Sequence, residues 1–343
     1  MAADESIFRW GVIGPGGIAN RFAAALAAVP GARLGAVFAR DPAKGRAYAE
    51  RWRHGGEPAR VTTELANVLD AADVDAVYIA TPHAHHGGYI RAALQAGKPV
   101  LCEKPLVTSL DEGEALVALA RERGVFLMEA LWTRFLPAYE LAGRWLREGA
   151  IGELRAMQSS FCFVAPDDPL HRCWNPALAG GALWDIGIYN LAVTRWVLQQ
   201  TNGGVCPEPT ALDVSVRLAP TGVDAALDVT LQFPGGVSSQ FRCAFDATSV
   251  NAFEAQGSRS SLRFPADFWQ AEAVERITRK APTERAQAPF VLNGFEGEIA
   301  EAQACIRGGL IESPRLPHAE TLALPRWMDA IRAKFTGGVN RKR

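Results

Sequence analysis

At 343 residues the chain is longer than one hydrophobic core usually supports, so two domains are expected. Its 36 Lys+Arg against 37 Asp+Glu leave a formal charge of -1, with no basic stripe of the kind that binds nucleic acid or an anionic membrane. No apolar run reaches the roughly 18 residues of a membrane helix, and the opening MAADESIFRW lacks the basic and apolar regions of a signal peptide.

The first part alternates apolar runs with helical patterns. FRWGVIG, ARLGAVFAR, DAVYIA, VLCEK and VFLMEAL read as strands. Between them, IANRFAAALAAV, PAKGRAYAERW, the run through YIRAALQA and LDEGEALVALARERG read as helices. Such alternation implies βαβ units on a parallel sheet. RWRHGGEPAR, at 51–60, is the one loose connection.

Past residue 131 the rhythm changes. The helical PAYELAGRWLREG leads into ELRAMQSSFCFV and then into GGALWDIGIYNL, which has the periodicity of a buried helix. From 211 the period is two. Leu212, Val214 and Val216 alternate with Asp213, Ser215 and Arg217, and Leu227, Val229 and Leu231 alternate with Asp228, Thr230 and Gln232. A third run sets Phe241, Cys243 and Phe245 against Gln240 and Arg242. PTG and PGG separate these runs, as in an antiparallel meander with one buried and one polar face. Helices around 294–308 and 319–335 complete the pattern. The expected class is α/β: a dinucleotide-binding domain over 1–130, then an α+β domain with an open, predominantly antiparallel sheet over 131–343.

The first chemical signal is GVIGPGGIA, residues 11–19. It places G-x-G-x-x-A through Gly14, Gly16 and Ala19 between a strand and a helix. Gly14 permits a tight turn, and Gly16 lets the backbone approach a pyrophosphate at the helix N-terminus. Gly17 and Ile18 open that helix and count among the expected cofactor contacts. A plain strand–helix turn is the bland alternative, which the setting in the first βαβ unit disfavours.

VFARDPAKG decides between NAD and NADP. An NAD site wants an acid here for the ribose hydroxyls. Asp41 stands before Pro42, where it reads as a helix N-cap with proline in the first turn. With Asp41 so occupied, Arg40 and Lys44 are left to hold a 2′-phosphate, which favours NADP. The alternative is that Arg40 is an ordinary solvated arginine.

TPHAHH, 81–86, follows DAVYIA at the carboxyl edge of the sheet, where such folds bind ligands. Without a nearby cysteine or acid, its three histidines do not read as a metal site. Thr81, Pro82, His83 and His86 are expected to line the cofactor, with His85 exposed. CEKP ends the next strand at the same edge, with Glu103 against the cofactor and Lys104 pointing into the cleft. A surface ion pair is the alternative. The six cysteines (102, 162, 173, 206, 243, 305) show no C-x-x-C, so reduced thiols, no metal and a cytoplasmic location are expected.

In GGALWDIGIYNL, Asp185 and Tyr189 are four residues apart on an otherwise apolar helix, and a carboxylate there is costly unless paired. Read alone, they are a structural ion-pair residue and a core phenol.

GPGGIA, ARDPAK, TPHAHH, AGKPVLCEKP and GGALWDIGIYNL occur in the order seen in the glucose–fructose oxidoreductase / inositol dehydrogenase (Gfo/Idh/MocA) family, which the chain resembles from residue 8 to about 330. MEALWTRFLP is most similar to its dimeric trans-dihydrodiol dehydrogenase / NADP-dependent D-xylose dehydrogenase branch. The resemblance implies that Lys104, Asp185 and Tyr189 form a catalytic set beside the nicotinamide. Asp185 would hold Lys104, whose charge would bring the phenol of Tyr189 toward neutrality from its usual value of about 10. It also implies a cofactor contact from Arg172, although the preceding residue is His171 where relatives often carry Trp. Trp132 and Phe161 match apolar substrate-pocket positions, with Trp269 a further candidate. A homodimer through the open sheets is implied as well.

These features predict an NADP-dependent oxidoreductase acting on a carbinol carbon of a cyclic polyol, sugar or trans-dihydrodiol. An NAD-dependent inositol or amino-sugar dehydrogenase, or a nucleotide-sensing regulator without turnover, are the alternatives. The intact lysine, aspartate and tyrosine speak against the regulator.

Overall fold

A computed structural model describes residues 7–53 and 56–338. Residues 1–6, which belong to the segment read for a signal peptide, and 54–55, within the loose connection, lie outside the described residues. The chain divides into two compact units, Met1–Arg134 with Val291–Ala323 and Phe135–Phe290 with Leu324–Arg343. The segment 291–323, which the sequence pattern leaves with the second half, therefore belongs to the first unit.

The first unit runs β1 (Phe8–Ile13), α1 (Gly17–Leu26), β2 (Ala32–Phe38), α2 (Pro42–Arg51), β3 (Arg60–Thr62), α3 (Ala66–Leu69), β4 (Ala76–Ile79), α4 (His86–Gln95), β5 (Val100–Glu103), α5 (Leu110–Arg123) and β6 (Leu127–Ala130). The strands form one parallel sheet in the order β3-β2-β1-β4-β5-β6. β4, β5 and β6 are buried along their whole length, as strands of a parallel sheet should be, including Glu103 on β5 and Glu129 on β6. Helix limits follow local chemistry. In α5, Ser109 accepts a hydrogen bond from Glu112 N, Asp111 and Glu112 occupy the positive end, and Gly124 stops the helix in the left-handed region at φ 63. Strand order reverses between β1 and β4, and such a switch point opens a crevice at the carboxyl ends of the strands.

The second unit begins with α6 (Pro137–Arg147) and β7 (Leu154–Cys162), then a π-helical turn at Leu183–Gly187 that continues into α7 (Ile188–Thr201). Strands β8 (Ala211–Leu218), β9 (Asp224–Gln232), β10 (Ser238–Ala244), β11 (Phe253–Gly257), β12 (Ser261–Phe264), β13 (Ala273–Ile277) and β14 (Glu284–Gln287) follow. With β7 they make an eight-stranded sheet in the order β14-β13-β12-β11-β7-β10-β9-β8. β8, β9 and β10 form the expected meander, but β10 pairs in parallel with β7, so the sheet is mixed. The period-two pattern marked no strand beyond Phe245. There β11–β14 are four or five residues each, too short to show a clear alternation. α7 packs on β7 and β10 and is buried on every side from Ile188 to Leu198. Helix α8 (Glu296–Arg307) belongs to the first unit, and α9 (His318–Gly338) begins there and ends in the second.

Candidate active site

The glycine turn after β1 is built for an anionic ligand. Gly14 has φ +90, and a Cβ there would sit 2.9 Å from Thr81 Cγ2 and 3.0 Å from the Ala80 carbonyl oxygen, so no larger residue fits. At Gly16 and Gly17 a Cβ would meet nothing within 4 Å, which leaves the N-terminus of α1 open to close approach. No acidic side chain occupies the first turn of α1. A cavity of about 540 Å³ lies beside this turn, lined among others by Gly14, Gly16, Arg40, Lys44, Thr81 and Pro82. Thr81 Oγ1 is buried without a hydrogen-bond partner. An open helix end, two cations and an unsatisfied hydroxyl around one cavity fit a dinucleotide.

Asp41 is held as its place before Pro42 predicts. Its Oδ1 accepts from Ala43 N at 2.9 Å and Lys44 N at 3.3 Å, capping α2. Ile18, in the first turn of α1, is exposed. His83 starts a short 3₁₀ turn and lies edge-on to His86, whereas His86 itself is wholly buried. Its Nδ1 is 2.8 Å from the Pro105 carbonyl and its Nε2 2.9 Å from the Thr81 carbonyl. His86 therefore ties the loop after β4 to the loop after β5 from behind, where the sequence pattern suggests a cofactor-lining ring.

Behind Lys104 the first unit gathers buried acids. Glu103 closes β5 and accepts a hydrogen bond from the Tyr78 hydroxyl, whose ring stacks on Phe22 at 3.8 Å. Glu129, from β6, accepts from Leu106 N at 2.8 Å and has no partner for its second oxygen. Glu298, from α8, is fully buried with neither oxygen hydrogen-bonded. Burial raises all three carboxyls. Glu129 is pushed up to about 7, and Glu298 lies well above the usual carboxylate range because the charge of Glu103 adds to desolvation, against a smaller pull from Arg21. The sequence pattern missed Glu129 and Glu298. A signal for Glu298 existed: it shares the helical stripe of Phe295, Ile299 and Ala302. Trp132, matched to a substrate-pocket position, is 3% exposed, packed on Phe295 with the Arg21 guanidinium 4.7 Å above its ring.

The second unit holds the other candidates. Arg172 Nη1 lies 3.0 Å from Asp185 Oδ2, and the Asp185 charge raises the arginine further above its ordinary value. Asp185 is thus paired within its own unit, a partner the sequence pattern did not supply. It sits in the π turn, where Ile188 N donates to Leu183 O. Such turns are rare and concentrate at functional sites. Tyr189 is 7% exposed, its ring 5.7 Å from that of Phe161, and Phe161 stacks on Trp269 at 3.5 Å. Phe161, Tyr189 and Trp269 are therefore one aromatic group.

Comparison with known proteins agrees with both halves. A family profile described as "Oxidoreductase family, NAD-binding Rossmann fold" matches residues 8–131, and one described as "GFO/IDH/MocA C-terminal domain" matches 139–263. The trans-1,2-dihydrobenzene-1,2-diol dehydrogenase of Mus musculus is 32% identical over 330 residues, covering 94% of this chain and 96% of that protein. Its Homo sapiens counterpart is 33% identical over 333 residues with the same coverage. Among solved structures, the aldose-aldose oxidoreductase from Caulobacter crescentus complexed with glycerol is similar at 27% identity and TM-score 0.84, over 96% of this chain and 98% of that one. A 3-ketoreductase from Actinomadura kijaniata, in complex with NADP and TDP-benzene, is similar at 28% identity and TM-score 0.82 with the same coverage.

Proposed function

The chain belongs to the GFO/IDH/MocA oxidoreductase family, and on that premise we propose that it is an NADP-dependent dehydrogenase of a cyclic polyol, sugar or trans-dihydrodiol. One observation carries the reading. The sheet order β2-β1-β4-β5 sets Arg40, Gly14, Thr81 and Lys104 in a row along the carboxyl ends of four adjacent strands. At the usual strand spacing that row spans about 14 Å. On this row we assign the 2′-phosphate to Arg40 and Lys44, the pyrophosphate to Gly14, Gly16 and the start of α1, and the nicotinamide to the Thr81–Lys104 end. The spending of Asp41 on the α2 cap favours NADP over NAD, and a relative binds NADP.

When bound, the nicotinamide supplies a hydride acceptor or donor. The chain's own residues manage the proton. Oxidising a carbinol carbon removes a hydride from carbon and a proton from its oxygen, so a base must take the latter. We assign that to the Tyr189 hydroxyl; a phenol titrates near 10 in water and needs a cation to serve at neutral pH, the role that the family resemblance implies for Lys104. Asp185 and Arg172 position this group. Phe161 and Trp269 offer the flat apolar wall that suits a dihydrodiol ring or one face of a pyranose. The relatives' names span both substrate kinds. The test is turnover, followed by nicotinamide absorbance, of trans-1,2-dihydrobenzene-1,2-diol, D-xylose, D-glucose and myo-inositol with NADP and with NAD. Turnover with NADP on at least one of them is expected, and its absence with all four contradicts the proposal.

We also infer a cytoplasmic homodimer joined through the open sheet face. The scattered cysteines, without a C-x-x-C, suit a reducing compartment. On that face Asp213, Ser215, Asp228, Thr230, Gln240 and Arg242 line a groove of about 420 Å³. Arg242 pairs with Asp228 directly across the β9–β10 ladder at 2.7 Å, and Arg217 pairs with Asp246. Polar faces whose charges are matched in this way form stable interfaces when they are large enough.

A further inference from the structure

Asp224 opens β9, and the two-residue alternation places it with Asp228 and Thr230 on the polar face. Its surroundings are different. Asp224 is 5% exposed whereas Asp228 is exposed. Its Oδ2 accepts a hydrogen bond of 2.6 Å from Leu183 N, the first residue of the π turn, and the Ala182 N–H also favours its charged form. Its Oδ1 lies against the place a Gly181 Cβ would take, and Gly181 has φ +124, so this turn admits only glycine against that carboxylate. Gly181 in turn accepts from Asp185 N at 3.2 Å and donates to the Cys173 carbonyl at 2.9 Å, beside Arg172. The backbone contacts that set the direction of the Asp185–Arg172 pair thus converge on a loop held by Asp224.

We propose that Asp224 is a positioning residue: its carboxylate caps the start of the π turn from a distant strand and so aims Asp185 and Tyr189. The proposal rests on the acid–base assignment made above for Tyr189. An ordinary cap comes from the residue just before its helix. This one comes from 41 residues away and acts where the helix is already distorted. Burial raises the Asp224 carboxyl to about 6, with the backbone N–H groups and the Arg332 guanidinium opposing the rise, so it is ionised at neutral pH and forms the stronger, charge-assisted kind of hydrogen bond.

The test compares Asp224→Asn and Asp224→Ala with the wild type, each also combined with Tyr189→Phe. Asp224→Asn keeps the shape and one acceptor oxygen; Asp224→Ala keeps neither. Turnover per folded enzyme should fall about tenfold in the first and about a hundredfold in the second, the scale of an ångström-sized misplacement. The KM for NADP should stay unchanged. In the Tyr189→Phe background neither substitution should reduce turnover further, because the group being aimed is already gone. The proposal is overturned by a lowered Tm with unchanged turnover in Asp224→Asn, which marks a merely structural cap, or by equal losses with and without Tyr189. Wild-type turnover in Tyr189→Phe alone would overturn the acid–base assignment and the proposal with it. An impaired Tyr189→Phe beside an unimpaired Asp224→Asn would overturn the proposal only.

Discussion

Replacing Glu129 by glutamine should change how the stability of the protein depends on pH. The side chain is 2% exposed, one oxygen is bonded to Leu106 N, the other has no partner, and desolvation lifts the group to about 7 against the opposing effects of Leu106 N and Lys104. Because the folded-state value lies above that of the unfolded chain, the stability it contributes is complete below about pH 4.5 and is lost as pH rises through about 7. The gap corresponds to about 3 kcal/mol once the group is ionised in both states. The variant Glu129→Gln would keep an oxygen for Leu106 N and lose the titration. Urea unfolding of both proteins at about pH 5 and about pH 9 should show the variant gaining by about 2.5 kcal/mol relative to wild type between the two, the rest of the gap being already lost by pH 5. A stability difference independent of pH would refute the reasoning, since it would mean that Glu129 is not held protonated by burial.

Arg40→Ala should raise the KM for NADP and leave that for NAD nearly untouched; equal effects on both would remove the 2′-phosphate assignment. Light scattering at micromolar concentration should give twice the 37.0 kDa chain mass, and reversing the charge of both Arg217 and Arg242 should shift it toward one chain mass. A wild type that scatters as one chain, or a dimer that survives both reversals, would place the interface elsewhere or nowhere.

The fold was legible because its cues are local and repeated. Strand–helix alternation marked the parallel sheet, and the Asp41–Pro42 pair marked the cap of α2, where only short-range hydrogen bonds matter. The clean alternation from Leu212 to Phe245 marked the meander. What sequence periodicity could not supply is long-range partnership. That β7 pairs in parallel with β10 depends on strands about 80 residues apart. The carboxylate that meets the start of the π turn stands on β9, 41 residues away, where GGALWDIG carries no sign of it. The buried acids were hidden for a different reason: Glu129 and Glu298 are charged residue types, which ordinarily face water, so the packing of β6 was needed to reveal Glu129, and the apolar stripe beside Glu298 was outweighed by its charge. That His86 bridges the Thr81 and Pro105 carbonyls was hidden because these two partners lie in separate loops.

The central claim is that Tyr189 exchanges the proton of the substrate hydroxyl. Its most direct test is Tyr189→Phe, with NADP affinity measured by its displacement of fluorescent NADPH and turnover measured on whichever diol or sugar the wild type oxidises. Unchanged NADP affinity with turnover lowered roughly 10²–10⁴-fold is the predicted result, the usual share of general acid–base catalysis. Wild-type turnover in Tyr189→Phe would contradict the claim and assign the proton to another group.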